Sequence, residues 1–331
     1  MIETETLQKL KGKKNLLAFS AGGDSSALFF LLHEQDITFD IAIVNYGLRV
    51  QSKDEVSYAK ELASKYHIKC HLLNAQKIEQ NFEAKAREIR YDFFEKLILE
   101  NNYENLITAH HLGDRFEWML MQFCKGAGCV ELSGMKKFET RDNYTLIRPL
   151  LHVEKEQLLE YLKTKNIKYF EDETNQDESI KRNSFRHNYT KPLLKQYLLG
   201  IKKSFEYLDE DRDSLVHDIE VQTVDEFAYF KIQNIRTNIY LIDKYLKSEL
   251  YMLSSHERAL LKHNSTLVVG RKFVINQNDK FVFITPFINE LNMSKEFKEK
   301  MRILKIEPKL RQYFYKYQNS FLKLKELFSS I

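Results

Sequence analysis

Over the first half of the chain, short apolar runs alternate with segments whose apolar positions recur every three or four residues. The runs Leu16–Phe19, Phe39–Val44, Cys70–Leu73, Leu106–Ala109 and Leu146–Arg148 predict strands. Between and after them, Ser26–His33, Asp54–Tyr66, Phe82–Asn101, Asp114–Lys125 and Lys155–Lys165 predict helices. Alternation at this spacing predicts a parallel sheet covered on both faces. Right-handed crossovers then bring the C-terminal ends of the strands to one edge, where ligands bind in such sheets. The polar and glycine residues cluster just after those runs: Ser20–Ser25, Asn45–Arg49, His110 with His111, and Arg148 with Pro149.

From about Tyr189 the pattern changes. Long helical periods over Lys191–Glu220 and Asn238–His263 precede strand-like runs at Thr266–Gly270, Lys272–Ile275 and Phe281–Ile284. No internal repeat or low-complexity linker intervenes. The expected organisation is an α/β parallel-sheet catalytic domain over residues 1–215 and a mainly helical C-terminal domain over 216–331. A length of 331 residues suits two domains.

Charge separates the two parts. Residues 1–215 carry 32 basic and 34 acidic side chains, and residues 216–331 carry 19 and 13. The C-terminal excess lies in 291–331, with 10 basic and 4 acidic, interleaved with Phe297, Tyr313, Phe314, Tyr315 and Tyr317. That mixture suits nucleic acid, through phosphate neutralisation and base stacking. A solvated lysine-rich surface over an aromatic core accounts for the same mixture, and charge pattern alone favours that reading. The three cysteines, Cys70, Cys124 and Cys129, form no C-x-x-C pair and no disulfide framework. No apolar run reaches the length of a membrane span, and the N-terminal residues lack the apolar core of a signal peptide, so a cytoplasmic location is expected.

The segment Leu16-Leu-Ala-Phe-Ser-Ala-Gly-Gly-Asp-Ser-Ser reads as a strand, a small-residue loop and a helix. Small residues let backbone N–H groups approach phosphate oxygens, and the helix N-terminus favours the anion. Asp24 repels phosphate unless it binds a cation or caps the helix; a plain strand-to-helix turn capped by Asp24 or Ser25 is the other reading. The lysine of a G-x-x-x-x-G-K-[ST] loop is missing.

Ser20-Ala21-Gly22-Gly23-Asp24-Ser25 resembles the S-G-G-x-D-S PP-loop of the N-type ATP pyrophosphatases. Ala21 replaces the usual glycine; alanine disfavours positive φ, so a modestly reshaped loop is expected there. Further segments, in order, resemble the tRNA(Ile)-lysidine synthetase family. They are Val44-Asn45-Tyr46-Gly47-Leu48-Arg49, the helix Glu83–Tyr91, and His110-His111-Leu112-Gly113-Asp114-Arg115-Phe116-Glu117. Arg148-Pro149-Leu150, Asp172-Glu173-Thr174-Asn175 and Arg182-Asn183-Ser184-Phe185-Arg186 complete the set. Together they span residues 16–186. Tyr46, Gly113 and Trp118 depart from the family pattern, which there often has histidine, aspartate and threonine.

The resemblance implies a PP-loop fold and a two-step ligase. ATP adenylates O2 of the wobble cytidine of tRNA(Ile), and free L-lysine then displaces AMP. It implies ATP and Mg²⁺, with Asp24 and Asp114 as metal ligands and Asp114, Asp24 and Glu117 as catalytic carboxylates. Ser20, Ala21, Gly22, Gly23, Asp24, Ser25, Arg90 and His110 are expected to bind ATP. Arg49, Glu83, Arg87, Arg148, Asp172, Asn175, Arg182, Asn183 and Arg186 are expected at the tRNA or lysine. The resemblance is one of size only in the C-terminal part, where tRNA binding is expected. Oligomeric state is open, a homodimer being one option. The competing readings are a PP-loop tRNA thiolation enzyme, a small-molecule amide-forming ligase, and a non-catalytic RNA-binding module.

Overall fold

The computed structural model describes residues 1–47, 51–76, 78, 80, 82–171, 180–217, 219–289 and 291–329. Two compact units divide the chain, residues 1–209 and 210–331.

The first unit is built on strands β1 (Asn15–Ala18), β2 (Phe39–Asn45), β3 (Cys70–Asn74), β4 (Asn105–Ile107), β5 (Phe138–Thr140) and β6 (Thr145–Ile147). Their order is β3-β2-β1-β4-β6-β5. All neighbours are parallel except β5, which pairs antiparallel to β6 at the edge. The helices are α1 (Thr4–Leu10), α2 (Gly23–His33), α3 (Ser52–Lys65), α4 (Phe82–Asn101), α5 (Leu112–Phe123), α6 (Cys129–Ser133), α7 (Lys155–Thr164), α8 (Lys181–Phe185) and α9 (Lys191–Leu215), with a π-helical turn at Arg186–Thr190 before α9. The expected parallel sheet is therefore present, with β5 added where the sequence has only a three-residue strand.

Successive residues of β1 face opposite cores. Leu17 joins Phe29, Ile41, Ile107 and Leu158 on one face, whereas Leu16 joins Phe94, Ile98 and Leu106 on the other. A strand buried on both faces reads as a continuous apolar run, which is why these strands are plain in the sequence. Between β1 and β4 the order reverses direction, and loops leaving the two strands diverge there, the place where open α/β sheets bind ligands.

The second unit contains β7 (Gln222–Val224), β8 (Phe227–Lys231), β9 (Thr266–Val269), β10 (Phe273–Gln277) and β11 (Phe281–Pro286), an antiparallel sheet in the order β7-β8-β11-β10-β9. Its helices are α10 (Ile235–Ser248), α11 (Ser255–Leu261), α12 (Lys295–Ile303), α13 (Pro308–Lys316) and α14 (Gln318–Ser329). Phe227 and Tyr229 pack with α12–α14, and Ala228 and Phe230 with α10 and α11. Helices predominate, but the sheet is larger than the sequence reading, which lacks β7 and β8. The single helix expected over Asn238–His263 is two. Leu250 takes a left-handed φ of 57°, and Ser254 starts α11 with a capping box to Glu257.

The aromatic residues of the basic C-terminal stretch are core. Tyr313 and Phe314 are fully buried and Phe297 nearly so, with Tyr315 against Phe297 and Tyr317 stacked on Tyr313. Of the two readings of these rings, the aromatic core is the one found for Phe297, Tyr313 and Phe314: helical periodicity turns them inward, with Tyr315 and Tyr317 half-buried against them.

Candidate active site

The loop after β1 and the start of α2 form one corner. Ser25, buried, ties the loop together: its hydroxyl donates to the Gly22 carbonyl (3.1 Å), accepts from the Ser20 N–H (3.2 Å) and lies 3.1 Å from Ser20 Oγ. Ala21 is not reshaped away from the left-handed region. It sits there at φ 59°, wholly buried, and its carbonyl accepts from the Phe170 N–H at 3.0 Å. Burial of the methyl and that bond offset a left-handed penalty of about 1 kcal/mol. Packing leaves room for a methyl at Gly23. A Cβ there would meet Tyr169 Cδ2 at 3.4 Å and Leu159 Cδ2 at 3.5 Å, on the α7 side.

Neither Asp24 nor Ser25 caps α2; the N-cap is Gly22, with no side-chain cap bond. Asp24 Oδ2 faces His111 Nε2 at 3.8 Å and Lys155 Nζ at 3.6 Å, while its Oδ1 is buried with no hydrogen-bond partner among the described residues. A buried, unpartnered carboxylate oxygen at a helix N-terminus costs free energy unless a cation or donor arrives. Lys155, which the sequence did not single out, reaches it from α7.

The second corner is the start of α5, after β4. His111, buried, is the N-cap: its Nδ1 accepts the Gly113 N–H (3.0 Å), so the ring proton sits on Nε2, which faces both Asp24 Oδ2 and Asp114 Oδ2 (3.6 Å). Asp114 closes the capping box by accepting the His111 N–H at 3.1 Å and takes Arg182 Nη2 on its other oxygen at 2.9 Å. Burial opposes its ionisation, but His111, His110, Arg182 and the backbone bond outweigh burial and hold the carboxyl well below the usual carboxylate range. His110 hydrogen-bonds Thr108 Oγ1 at 2.9 Å, and burial, with Arg148, Arg182 and Arg87 adding to it against the pull of Asp114, brings it down to about 4.

Glu117, three residues on, shares that helix face. It is buried; one oxygen accepts from Arg182 Nε and the other from Arg186 Nε at 2.9 Å. Burial works against the Arg182 charge, but Asp114 and Glu117 raise its pKa. Arg182 and Arg186 thus pair with carboxylates of α5. Asn183, between them, is buried.

Other expected residues have partners of their own around the site. Arg148 is corrected: its guanidinium is buried and donates to the Lys136 carbonyl (2.7 Å) and Glu139 (2.9 Å), tying β6 to the β5 segment rather than facing a substrate. Glu83, Arg87 and Arg90 are exposed on α4, with Arg87 over Tyr91 and Arg90 Nε bonded to the Ala86 carbonyl. Tyr46 donates to the same carbonyl at 2.8 Å, anchoring the end of β2 to α4. Arg49, Asp172 and Asn175 lie outside the described residues. Gly113 is explained by its neighbour: a Cβ there would lie 2.7 Å from His111 Cε1. Sequence reasoning missed His111 as the group between the two carboxylates; only its place in the His-His pair marked it.

The parallel sheet, the small-residue loop and carboxylates at its switch point define a PP-loop nucleotide-binding domain, and the family described as a PP-loop domain matches residues 2–193. Over nearly the whole chain the similarity is narrower. The tRNA(Ile)-lysidine synthase of Campylobacter jejuni strain RM1221 is 44% identical over 318 residues, covering 96% of this chain and 97% of its own. That of Wolinella succinogenes is 44% identical (95% and 96% covered), and that of Helicobacter pylori strain 26695 is 41% identical (93% and 91%). The chain belongs to the tRNA(Ile)-lysidine synthase family. Among solved structures, the U34-tRNA thiolase NcsA from Methanococcus maripaludis has a TM-score of 0.52 at 19% identity, covering 66% of this chain and 80% of its own, a likeness of fold alone.

Proposed function

We propose that the protein is an ATP-dependent ligase that converts the wobble cytidine of tRNA(Ile) to lysidine, using free L-lysine. The observation that carries this reading is the meeting of the PP-loop with the start of α5, where Asp24, His111 and Asp114 converge beside the Arg182–Arg186 pair. In the first step the cytidine O2 attacks the α-phosphorus and pyrophosphate leaves. In the second the lysine ε-amine attacks C2, the C2–O bond breaks, AMP leaves and the amine loses a proton. Positioning and charge neutralisation carry most of such chemistry.

The N–H groups of the first turn of α2 and the loop would hold the phosphates. Asp24 and Asp114 would hold Mg²⁺, and the unpartnered Asp24 Oδ1 fits that role, since Mg²⁺ takes one or two carboxylates alongside phosphate oxygens. Bound there, the ion would neutralise triphosphate charge. A carboxyl held as far down as Asp114 is a weak base, which favours the cation role over proton removal. Glu117 would act as a positioning residue, aligning the two guanidiniums. The thiolation alternative loses ground, because its likeness is one of fold while relatives above 40% identity are lysidine synthases.

The second unit would bind the tRNA. Lys305 and Lys309 are exposed on its surface, and among the described residues no acidic side chain pairs with them. The test is mass spectrometry of tRNA(Ile) after incubation with ATP, Mg²⁺ and isotopically labelled lysine. A labelled lysidine at the wobble position is expected; unmodified cytidine alongside intact ATP binding would overturn the reading.

A further inference from the structure

The only tryptophan of the chain, Trp118, is 45% exposed. It lies on α5 four residues after Asp114 and one after Glu117, so its side chain stands one helical turn from Asp114 on the same face. The inward face of α5 is already filled by Leu112 and Phe116, which pack with Phe205 of α9. The indole is therefore not needed to complete that core.

Its seat is rigid. Gly134 has φ 68° and ψ −129°, a conformation open in practice to glycine, and a Cβ there would come within 3.0 Å of Trp118 Cδ1. The preceding carbonyl, that of Ser133, is clamped by Arg115, whose Nε and Nη2 donate to it at 3.0 and 2.9 Å while the guanidinium lies 4.3 Å from the Phe205 ring. Gly134 thus supports one edge of the indole and leaves much of the ring to solvent. Among the described residues no second aromatic ring stacks on it, so it does not form the enclosed slot expected of a small-molecule site, which buries most of its ligand. Arg182 and Arg186, ion-paired with Asp114 and Glu117, keep 39% and 22% of their side chains exposed, so two guanidinium-bearing side chains lie partly open to solvent alongside.

An open aromatic face beside cationic groups matches the chemistry of single-stranded RNA, whose bases stack on aromatic rings while the backbone meets positive charge. We propose that Trp118 is a stacking platform for a nucleobase of the RNA substrate, that of a nucleotide next to the one modified. This rests on the proposed function. One helical turn, about 5 Å, separates Trp118 from Asp114 along α5.

As the sole tryptophan, Trp118 is its own probe. Selective excitation of its emission during titration with an anticodon stem–loop RNA should show quenching that saturates with binding, whereas ATP alone should leave it unchanged. RNA binding is followed in parallel by the anisotropy of a labelled stem–loop. Trp118→Ala should raise its Kd about tenfold or more, the value of one stacked base, with ATP affinity unchanged, and Trp118→Phe should recover most of the loss. RNA that binds without quenching, or binds Trp118→Ala as well as the wild type, overturns the platform and leaves the modification reading standing. Quenching by ATP alone overturns it in favour of an adenine seat. Loss of RNA binding and of lysidine formation in the wild type would instead bring down the reading beneath it.

Discussion

Replacing Glu117 by glutamine tests the centre of the candidate site through stability. Glu117 is 1% exposed, and its oxygens hold Arg182 and Arg186. Glutamine keeps the shape, but its NH₂ faces a guanidinium that has no acceptor to offer. One bond is lost, and the other, from a guanidinium that stays charged, is only weakened. Bonds to charged groups contribute about 1.5–3 kcal/mol, so losing one and weakening the other by about 0.5 kcal/mol costs about 2–3.5 kcal/mol. The 39% exposure of Arg182 lets water compensate part of this, which places the value near 2–3 kcal/mol. With a urea dependence of about 3 kcal/mol per molar, the midpoint falls by about 0.8 M at unchanged slope. Trp118 lies in the first unit, so its emission follows that unit's unfolding. Combining Glu117→Gln with Arg186→Gln should cost about 1–2 kcal/mol less than the sum of the single changes. A midpoint within about 0.2 M of wild type, or strict additivity, would refute an ionised Glu117 shared between the arginines.

Asp114→Asn should retain nucleotide binding and lower adenylation about a hundredfold or more, read as pyrophosphate release; a wild-type rate would reduce Asp114 to a helix cap. Gly113→Ala places a Cβ 2.7 Å from His111 Cε1, so the ring must move; we expect a loss of about 1–2 kcal/mol in urea unfolding together with slower adenylation, and unchanged values in both would remove His111 from the site. His110 titrates near 4 in the folded protein against an ordinary 6.5, so the unfolded chain takes up its proton first. Stability contributed by the neutral ring is complete above pH 6.5 and falls between there and pH 4, by up to about 3 kcal/mol. The thermal midpoint should drop in that window, with His71 and His152 adding in the same direction, and His110→Gln should flatten the drop. Finally, Lys305→Glu, Lys309→Glu and Arg311→Glu together should raise the KM for tRNA and flatten the salt dependence of binding with ATP and lysine unaffected; normal binding at every salt concentration would leave this face merely solvated.

What the sequence determined by itself is the framework of the first unit. Runs such as Leu16–Phe19 and Phe39–Val44 are buried on both sides, and that burial writes a local pattern legible without any partner. The residues that the parallel sheet brings to its edge, Ser20–Ser25 and His110–Glu117, were legible for the same reason: each follows a strand directly. The cap that splits the helix expected over Asn238–His263 was also there to read, in Ser254 and Glu257, but the apolar period on either side masked it. Tertiary structure alone decided the rest. Glu117 meets Arg182 and Arg186 across more than sixty residues, and no local period encodes such a pair. Arg148 turns inward because β5 supplies Glu139, and β5 is too short to announce itself. Ala21 holds a left-handed φ because Phe170, distant in sequence, bonds its carbonyl. Whether Tyr313 and Phe314 meet solvent or core depended on β8 and β11, strands of the sheet against which α13 packs. Periodicity records how each residue is buried, whereas the identity of its partner is set only when distant segments pack.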